Sequence, residues 1–319
     1  MAVLSALYGV SSTIFSNLFI KLPVPQSTPD LAEQTIVVTG SNTGLGLEAS
    51  RHLLRLGVGK LIMAVRDLKK GEKARAELLE STKRLPDSVE VWHLDMENHD
   101  SIKSFAHRAN TELPRLDAVL ANAGILAGKF TLSNGIEKTI AVNVVSTYLL
   151  FLLLLPKLRQ APSTGRFVIP NSALHYLAPT KDLEVAAGGK SIFARLNDPN
   201  NVDMEARYSV SKLLVIYVTR EFASMMAASD KPAVIVNTPN PSYCKSGLLR
   251  EAPGPAPPSF LARTTEMGSR ALVHGLLAGP ESSGQYLTKS CLWDFTATVQ
   301  HRMLPTRPVR KYRRPSSKS

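Results

Sequence analysis

The chain has 319 residues, 44% of them hydrophobic and 20% charged, the balance of a soluble globular protein with a large core. Its formal charge of +12 is concentrated in "HRMLPTRPVRKYRRPSSKS" (301–319), which holds seven basic residues and no acidic one; the remainder stands near +5, which argues against a nucleic-acid role. Only Cys244 and Cys291 occur, so a disulfide framework and a cysteine–histidine zinc site are excluded and a reducing, cytoplasmic compartment fits.

Residues 1–20, "MAVLSALYGVSSTIFSNLFI", carry no charge and repeat apolar residues at helical spacing, with Ser12, Thr13, Ser16 and Asn17 mostly opposite. The serines and asparagine argue against a membrane span, and no basic start marks a signal peptide. A helix docked on the body and a helix lying on a membrane surface both remain open, the second giving peripheral membrane contact. "LPVPQSTPD" follows as a linker. Residues 1–34 are therefore expected to be an extension, 35–295 one catalytic domain, and 296–319 a solvated basic tail able to meet anionic lipid.

From Thr35 short apolar runs alternate with helical patterns. Strands are predicted at 35–39, 60–65, 89–95, 117–123, 165–172 and 233–238, with "GQYLT" (284–288) able to close the sheet. Helices are predicted near 47–56, through "KKGEKARAELLEST", after Asp100, over 139–158 and over 208–227. Unalternating β-branched strands separated by helices predict a doubly wound parallel α/β sheet of the Rossmann type. Ligands of such sheets lie beyond the carboxyl ends of the strands, where the strand order reverses.

The polar residues fall at those ends. The first strand runs into "TGSNTGLG", where Gly40, Gly44 and Gly46 permit a tight turn and let a pyrophosphate reach a helix N-terminus. Leu45 should face the cofactor through its backbone. Arg66 ends the second strand and suits a ribose 2′-phosphate, which points to NADP(H), with Asp67 as the confounding neighbour. Asp95 can accept from an adenine amino group, and Asn122 of "NAG" falls near the riboses. Ser172 ends the fifth strand. Tyr208 and Lys212 of "YSVSK" are four apart, hence on one helical face. A phenol beside an ammonium can exchange a proton with an alcohol or ketone, and a serine hydroxyl can hold the substrate oxygen.

Over about residues 33–290 this pattern resembles the short-chain dehydrogenase/reductase family, single-domain type. The resemblance rests on "TGxxxGxG" at 39–46, "NAG" at 122–124, Asn143 in "NVVSTYLL", Ser172 and "YxxxK" at 208–212. It implies that Tyr208 donates the proton in reduction while Ser172 polarises the carbonyl. Lys212 would hold the nicotinamide ribose and lower the phenol's pKa, and Asn143 would hold a water linking Lys212 to solvent. It also implies dimers or tetramers. "MAVRDLKKGEKA", His175 and the 35 residues between Ser172 and Tyr208 are similar to the retinol dehydrogenase and protochlorophyllide reductase-like branch, and the uncharged N-terminus to fungal natural-product reductases.

Two departures stand out. "NPSYCKSG" has Ser242 where the family carries glycine, so a positive φ there would be strained. "IPNS" puts Pro170 and Asn171 before the serine. The expected function is hydride transfer between the nicotinamide and a carbonyl or alcohol of an apolar small molecule. A catalytically impaired nucleotide-binding scaffold, docking partners or membrane through its termini, is the rival. The substrate should bind against 173–207 and "EAPGPAPPSFLART" (251–264).

Overall fold

The structure is a computed structural model that describes residues 2–183, 189, 191–252 and 257–288. Helix α1 (Ala2–Phe19) precedes β1 (Thr35–Thr39), α2 (Gly44–Arg55), β2 (Lys60–Val65), α3 (Leu68–Thr82), β3 (Val89–His93), α4 (His99–Glu112) and β4 (Ala118–Leu120). A small hairpin, β5 (Leu132–Ser133) and β6 (Ile136–Glu137), leads into a continuous helical rod. The rod comprises α5 (Lys138–Ile140), a π-helical segment (Ala141–Ser146) and α6 (Thr147–Leu158). There follow β7 (Gly165–Val168), α7 (Ile192–Leu196), α8 (Met204–Ala227), β8 (Val234–Pro239), α9 (Thr265–Leu277) and β9 (Tyr286–Leu287).

Seven strands form one parallel sheet in the order β3-β2-β1-β4-β7-β8-β9. Successive residues of β1 enter opposite cores, as the two-residue strand period requires. Val37 joins Trp92, Phe105, Phe151 and Phe167 under α4, α6 and α8, whereas Ile36 and Val38 join Leu53, Leu78 and Leu272 under α2, α3 and α9. Both faces are covered, which is why the strands read as unbroken apolar runs. The chain runs outward from β1 to β3, then returns to the other side of β1 as β4. That reversal opens a crevice between the ends of β1 and β4.

Residues 138–158 are long and apolar enough to cross a bilayer, but Leu150, Phe151, Leu154 and Leu158 are buried in the core. The rod is a core helix. The predicted elements recur with shifted ends. β7 stops at Val168 rather than at residue 172, and β3 and β4 also end before the predicted 95 and 123, because the chain there leaves the ladder to line the crevice. Helix α8 begins four residues before Tyr208, where the Asp203 carboxylate accepts from Ala206 N at 3.0 Å as an N-cap.

Helix α1 is docked on the body. Its Gly9 packs so closely on Tyr176 that a Cβ would lie 3.0 Å from that residue's Cβ. Asn17 Nδ2 donates to the carbonyls of Tyr243 and Leu261, each at 2.8 Å. Buried Arg263 donates to Ser16 O at 2.6 Å and Ile20 O at 2.8 Å. The opposite face leaves Leu7, Phe15, Leu18 and Phe19 exposed. The predicted basic tail, 296–319, lies outside the described residues.

Candidate active site

A cleft of about 1420 Å³ runs along the carboxyl ends of the strands. Gly40, Gly44, Leu45, Arg66, Asp95, Asn122, Ser172, Tyr208 and Lys212 all line it. Gly46 and Asn143 do not appear on its wall, and both serve the site from behind.

The glycine turn is built for close approach. Gly40 and Gly44 have φ of 62° and 61°, the left-handed region that side chains disfavour. A Cβ at Gly44 would meet only Ser246 Cβ, at 3.9 Å, so this face is open to a ligand at the start of α2. Gly46 is needed for packing instead. A Cβ there would lie 2.5 Å from Asn122 Nδ2 and 2.6 Å from Gly40 O, so only a hydrogen lets α2 sit against the turn. Asn122 Nδ2 in turn donates to Thr39 O at 3.0 Å, and Thr39 Oγ1 accepts from Ala123 N at 2.9 Å. Asn122 thus braces the turn as well as lining the cleft.

At the β2 end, Asp67 is occupied. Its carboxylate caps α3 by accepting from Lys70 N at 3.0 Å, and Lys70 Nζ lies 3.4 Å from it. Arg66 is exposed and pairs with Glu97 at 3.0 Å, a contact that a surface ion pair surrenders at little cost. Lys70 and Lys73 also line this end. Asp95 Oδ1 accepts from Glu97 N at 2.9 Å, which fixes its carboxylate at the end of β3.

At the other end Ser172, Tyr208 and Lys212 converge. The Ser172 hydroxyl lies close enough to the Tyr208 phenol to bear on its titration, and Lys212 Nζ lies 5.5 Å from the centre of the phenol ring. Burial pushes the phenol well above its ordinary value, the neighbouring serine hydroxyl opposing it only in part, so the phenol is held protonated. Burial also pulls the Lys212 ammonium down from 10.5 to about 8. The expected lowering of the phenol therefore does not hold for the protein without ligand. Desolvation dominates, and a depressed phenol would need positive charge beyond Lys212.

Asn143 sits in the π-helical segment, a backbone irregularity common at functional sites. Its Oδ1 accepts from Ile125 N at 2.9 Å, while its Nδ2 donates to Ile125 O at 2.9 Å and to Ser211 Oγ at 3.1 Å. Ser211 Oγ donates to Tyr208 O at 2.7 Å. The side chain therefore ties the loop after β4 to the helix bearing Tyr208. Asn171, which the sequence marks only as a departure from the family pattern, has a similar role: its Oδ1 accepts from Ser172 N at 2.7 Å and its Nδ2 donates to Lys212 O at 3.3 Å. The fully buried pair Arg207–Glu137 (3.7 Å) belongs to no recognisable motif, and the bracing roles of Ser211, inside "YSVSK", and of Asn171 carry no signal in the sequence. The one hint is that Arg207 adjoins Tyr208. Ser242 does adopt φ 67°, with its N–H donating to Asn240 Oδ1 at 2.9 Å.

The short chain dehydrogenase family profile matches residues 34–175. The chain is 44% identical over 290 residues to the short chain dehydrogenase atnD of Emericella nidulans, covering 86% of this chain and 90% of that one. To the short chain dehydrogenase/reductase dmxR8 of a Cryptosporiopsis species it is 42% identical over 284 residues, covering 86% of each. Among solved structures, an alcohol dehydrogenase from Thermococcus sibiricus complexed with 5-hydroxy-NADP shares the fold with a TM-score of 0.57. That match has 18% identity and covers 80% of this chain and 95% of that one.

Proposed function

The chain belongs to the short-chain dehydrogenase/reductase family, and from that premise we propose that it is an NADP-dependent reductase of carbonyl groups on apolar small molecules. The observation that carries this is the meeting of Ser172, Tyr208 and Lys212 at one end of a cleft whose other end is a glycine turn and Arg66. The cofactor's fit is supported by the open face of Gly44 and by the cap that engages Asp67 and leaves Arg66, held only by its exposed pair with Glu97, to meet a 2′-phosphate.

A bound nicotinamide dinucleotide supplies the hydride. The chain's own groups do the rest. The glycine turn and the first N–H groups of α2 hold the diphosphate. Ser172 donates to the substrate oxygen, and Tyr208, kept protonated by burial, gives its proton to that oxygen as negative charge develops there. Lys212, anchored by its bond to the Pro170 carbonyl at 2.8 Å, places a positive charge near the phenolate that forms. Asn143, Asn171 and Ser211 hold these groups in register.

Relatives from fungi support a role in natural-product chemistry, where the apolar walls of the cleft suit the substrates. Peripheral membrane contact would use the exposed apolar face of α1. The deciding experiment incubates the purified chain with NADPH and a panel of hydrophobic ketones and aldehydes, with Tyr208→Phe as control. Loss of a thousandfold or more in turnover with nucleotide affinity preserved is expected. Turnover unchanged in that variant removes the mechanism. Tight NADPH binding without reaction on any candidate would favour the rival scaffold, for which the strained Ser242 is the motive.

A further inference from the structure

A second, smaller cavity of about 180 Å³ adjoins the cleft. It lies between α1, α9 and the end of β9, and it shares Thr13, Ala173 and Ser242 with the cleft wall. Ala173 directly follows Ser172, so the shared wall stands at the reacting end. Tyr8, Tyr176 and Tyr286 make the cavity's aromatic side: the first two rings meet edge to face at 5.4 Å, and the last two at 6.5 Å. Leu22 and Leu277 add aliphatic surface.

Size decides what fits. A cavity of ~150 Å³ lined by apolar side chains holds one benzene, so this one has room for a single six-membered ring with a small substituent. Polarity decides the substituent. Gln285 lines the cavity, and its side chain makes no hydrogen bond among the described residues, so its amide has both a donor and an acceptor to offer. We propose that this cavity binds one aromatic ring bearing a hydroxyl, with Gln285 as the partner of that hydroxyl. In the reductase it is the subsite for the far end of a substrate whose carbonyl meets Ser172 and Tyr208. That last step rests on the function proposed above, whereas phenol binding in the cavity does not.

The cavity is part of the protein because α1 is fixed over it. Arg263 and Asn17 pin the helix, and Thr13, with its hydroxyl bonded back to Gly9 O at 2.8 Å, presents the shared edge. A chain lacking this extension would have an open surface here.

The test is calorimetric titration of the full chain with phenol and with toluene, each with and without NADPH. Ala278→Phe fills the cavity from a residue absent from the cleft wall, and Gln285→Leu removes the polar partner. Saturable phenol binding is expected, undisturbed by NADPH and at least tenfold weaker in Ala278→Phe, whose NADPH affinity is unchanged. Gln285→Leu should weaken phenol about fivefold, the weight of one neutral hydrogen bond, and leave toluene as tight or tighter. Absent phenol binding, displacement of phenol by NADPH, or equal phenol affinity in Ala278→Phe each overturns the proposal. If Ala278→Phe does not fold, the contrast between phenol and toluene in Gln285→Leu decides it. Loss of NADPH binding by the unmodified chain would remove the proposed cofactor and leave the phenol result standing.

Discussion

Lys212 Nζ donates to the main-chain carbonyl of Pro170 at 2.8 Å, so the ammonium of α8 is tethered two residues upstream of Ser172. The proline that departs from the family pattern is thus the residue whose carbonyl holds the lysine. Asn171 closes the loop by bonding both Ser172 N and Lys212 O. Strand end and helix are thus bonded to each other at two points.

Lys212 sets a pH dependence of stability. Its pKa falls from 10.5 to about 8 on folding, so between those values the unfolded chain binds more protons and stability rises with pH. Below about 8 the buried charge is a full cost. Lys212→Met should therefore be more stable than the wild type at pH 7 by about 1–3 kcal/mol, the loss of the Pro170 bond offsetting part of the gain. The difference should shrink between pH 8 and 10.5. Urea unfolding at pH 7 and pH 10 measures it; an identical difference at both would show that the lysine is not depressed.

Arg66 should set nucleotide choice. With Asp67 engaged in its cap, Arg66→Ala is expected to weaken NADPH by about 10–100-fold, the value of charge-assisted hydrogen bonds. NADH should be nearly unaffected. Fluorescence titration with both nucleotides distinguishes this from general damage, which would weaken both alike.

The Arg207–Glu137 pair is buried at 2% and 0% side-chain exposure, and Glu137 also caps the rod by accepting from Thr139 N and Ile140 N. Arg207→Ala leaves that carboxylate without its cation and should cost about 3–5 kcal/mol. Arg207→Met combined with Glu137→Gln should recover much of the loss. A double variant as unstable as Arg207→Ala would mean that packing, not charge, is what Arg207 supplies.

Ser242 carries measurable strain. At φ 67° a side chain costs about 1–2 kcal/mol, while glycine loses about 0.5–1 kcal/mol in entropy. Ser242→Gly should raise the melting temperature by about 1–3 °C, and Ser242→Ala should not. Calorimetry on both settles it, a lower melting point for the glycine variant being the adverse result.

Much of this protein is legible in its residues because the physics is local. Val37 between Ile36 and Val38 marks a strand covered on both sides, Gly44 marks a tight turn in a region side chains disfavour, and a period of 3.6 places Tyr208 and Lys212 on one face. Each of these depends on neighbours within a few positions, which a single sequence displays. Long-range partnerships are different. That Asn143 reaches Ser211, that Pro170 offers its carbonyl to Lys212, and that α1 closes over the cleft through Asn17 and Arg263 are contacts between segments tens to hundreds of residues apart. No periodicity encodes them. The same holds for the phenol of Tyr208: its chemical type is plain in the sequence, but its raised pKa comes from exclusion of water by the assembled core, a property that exists only once the chain has folded.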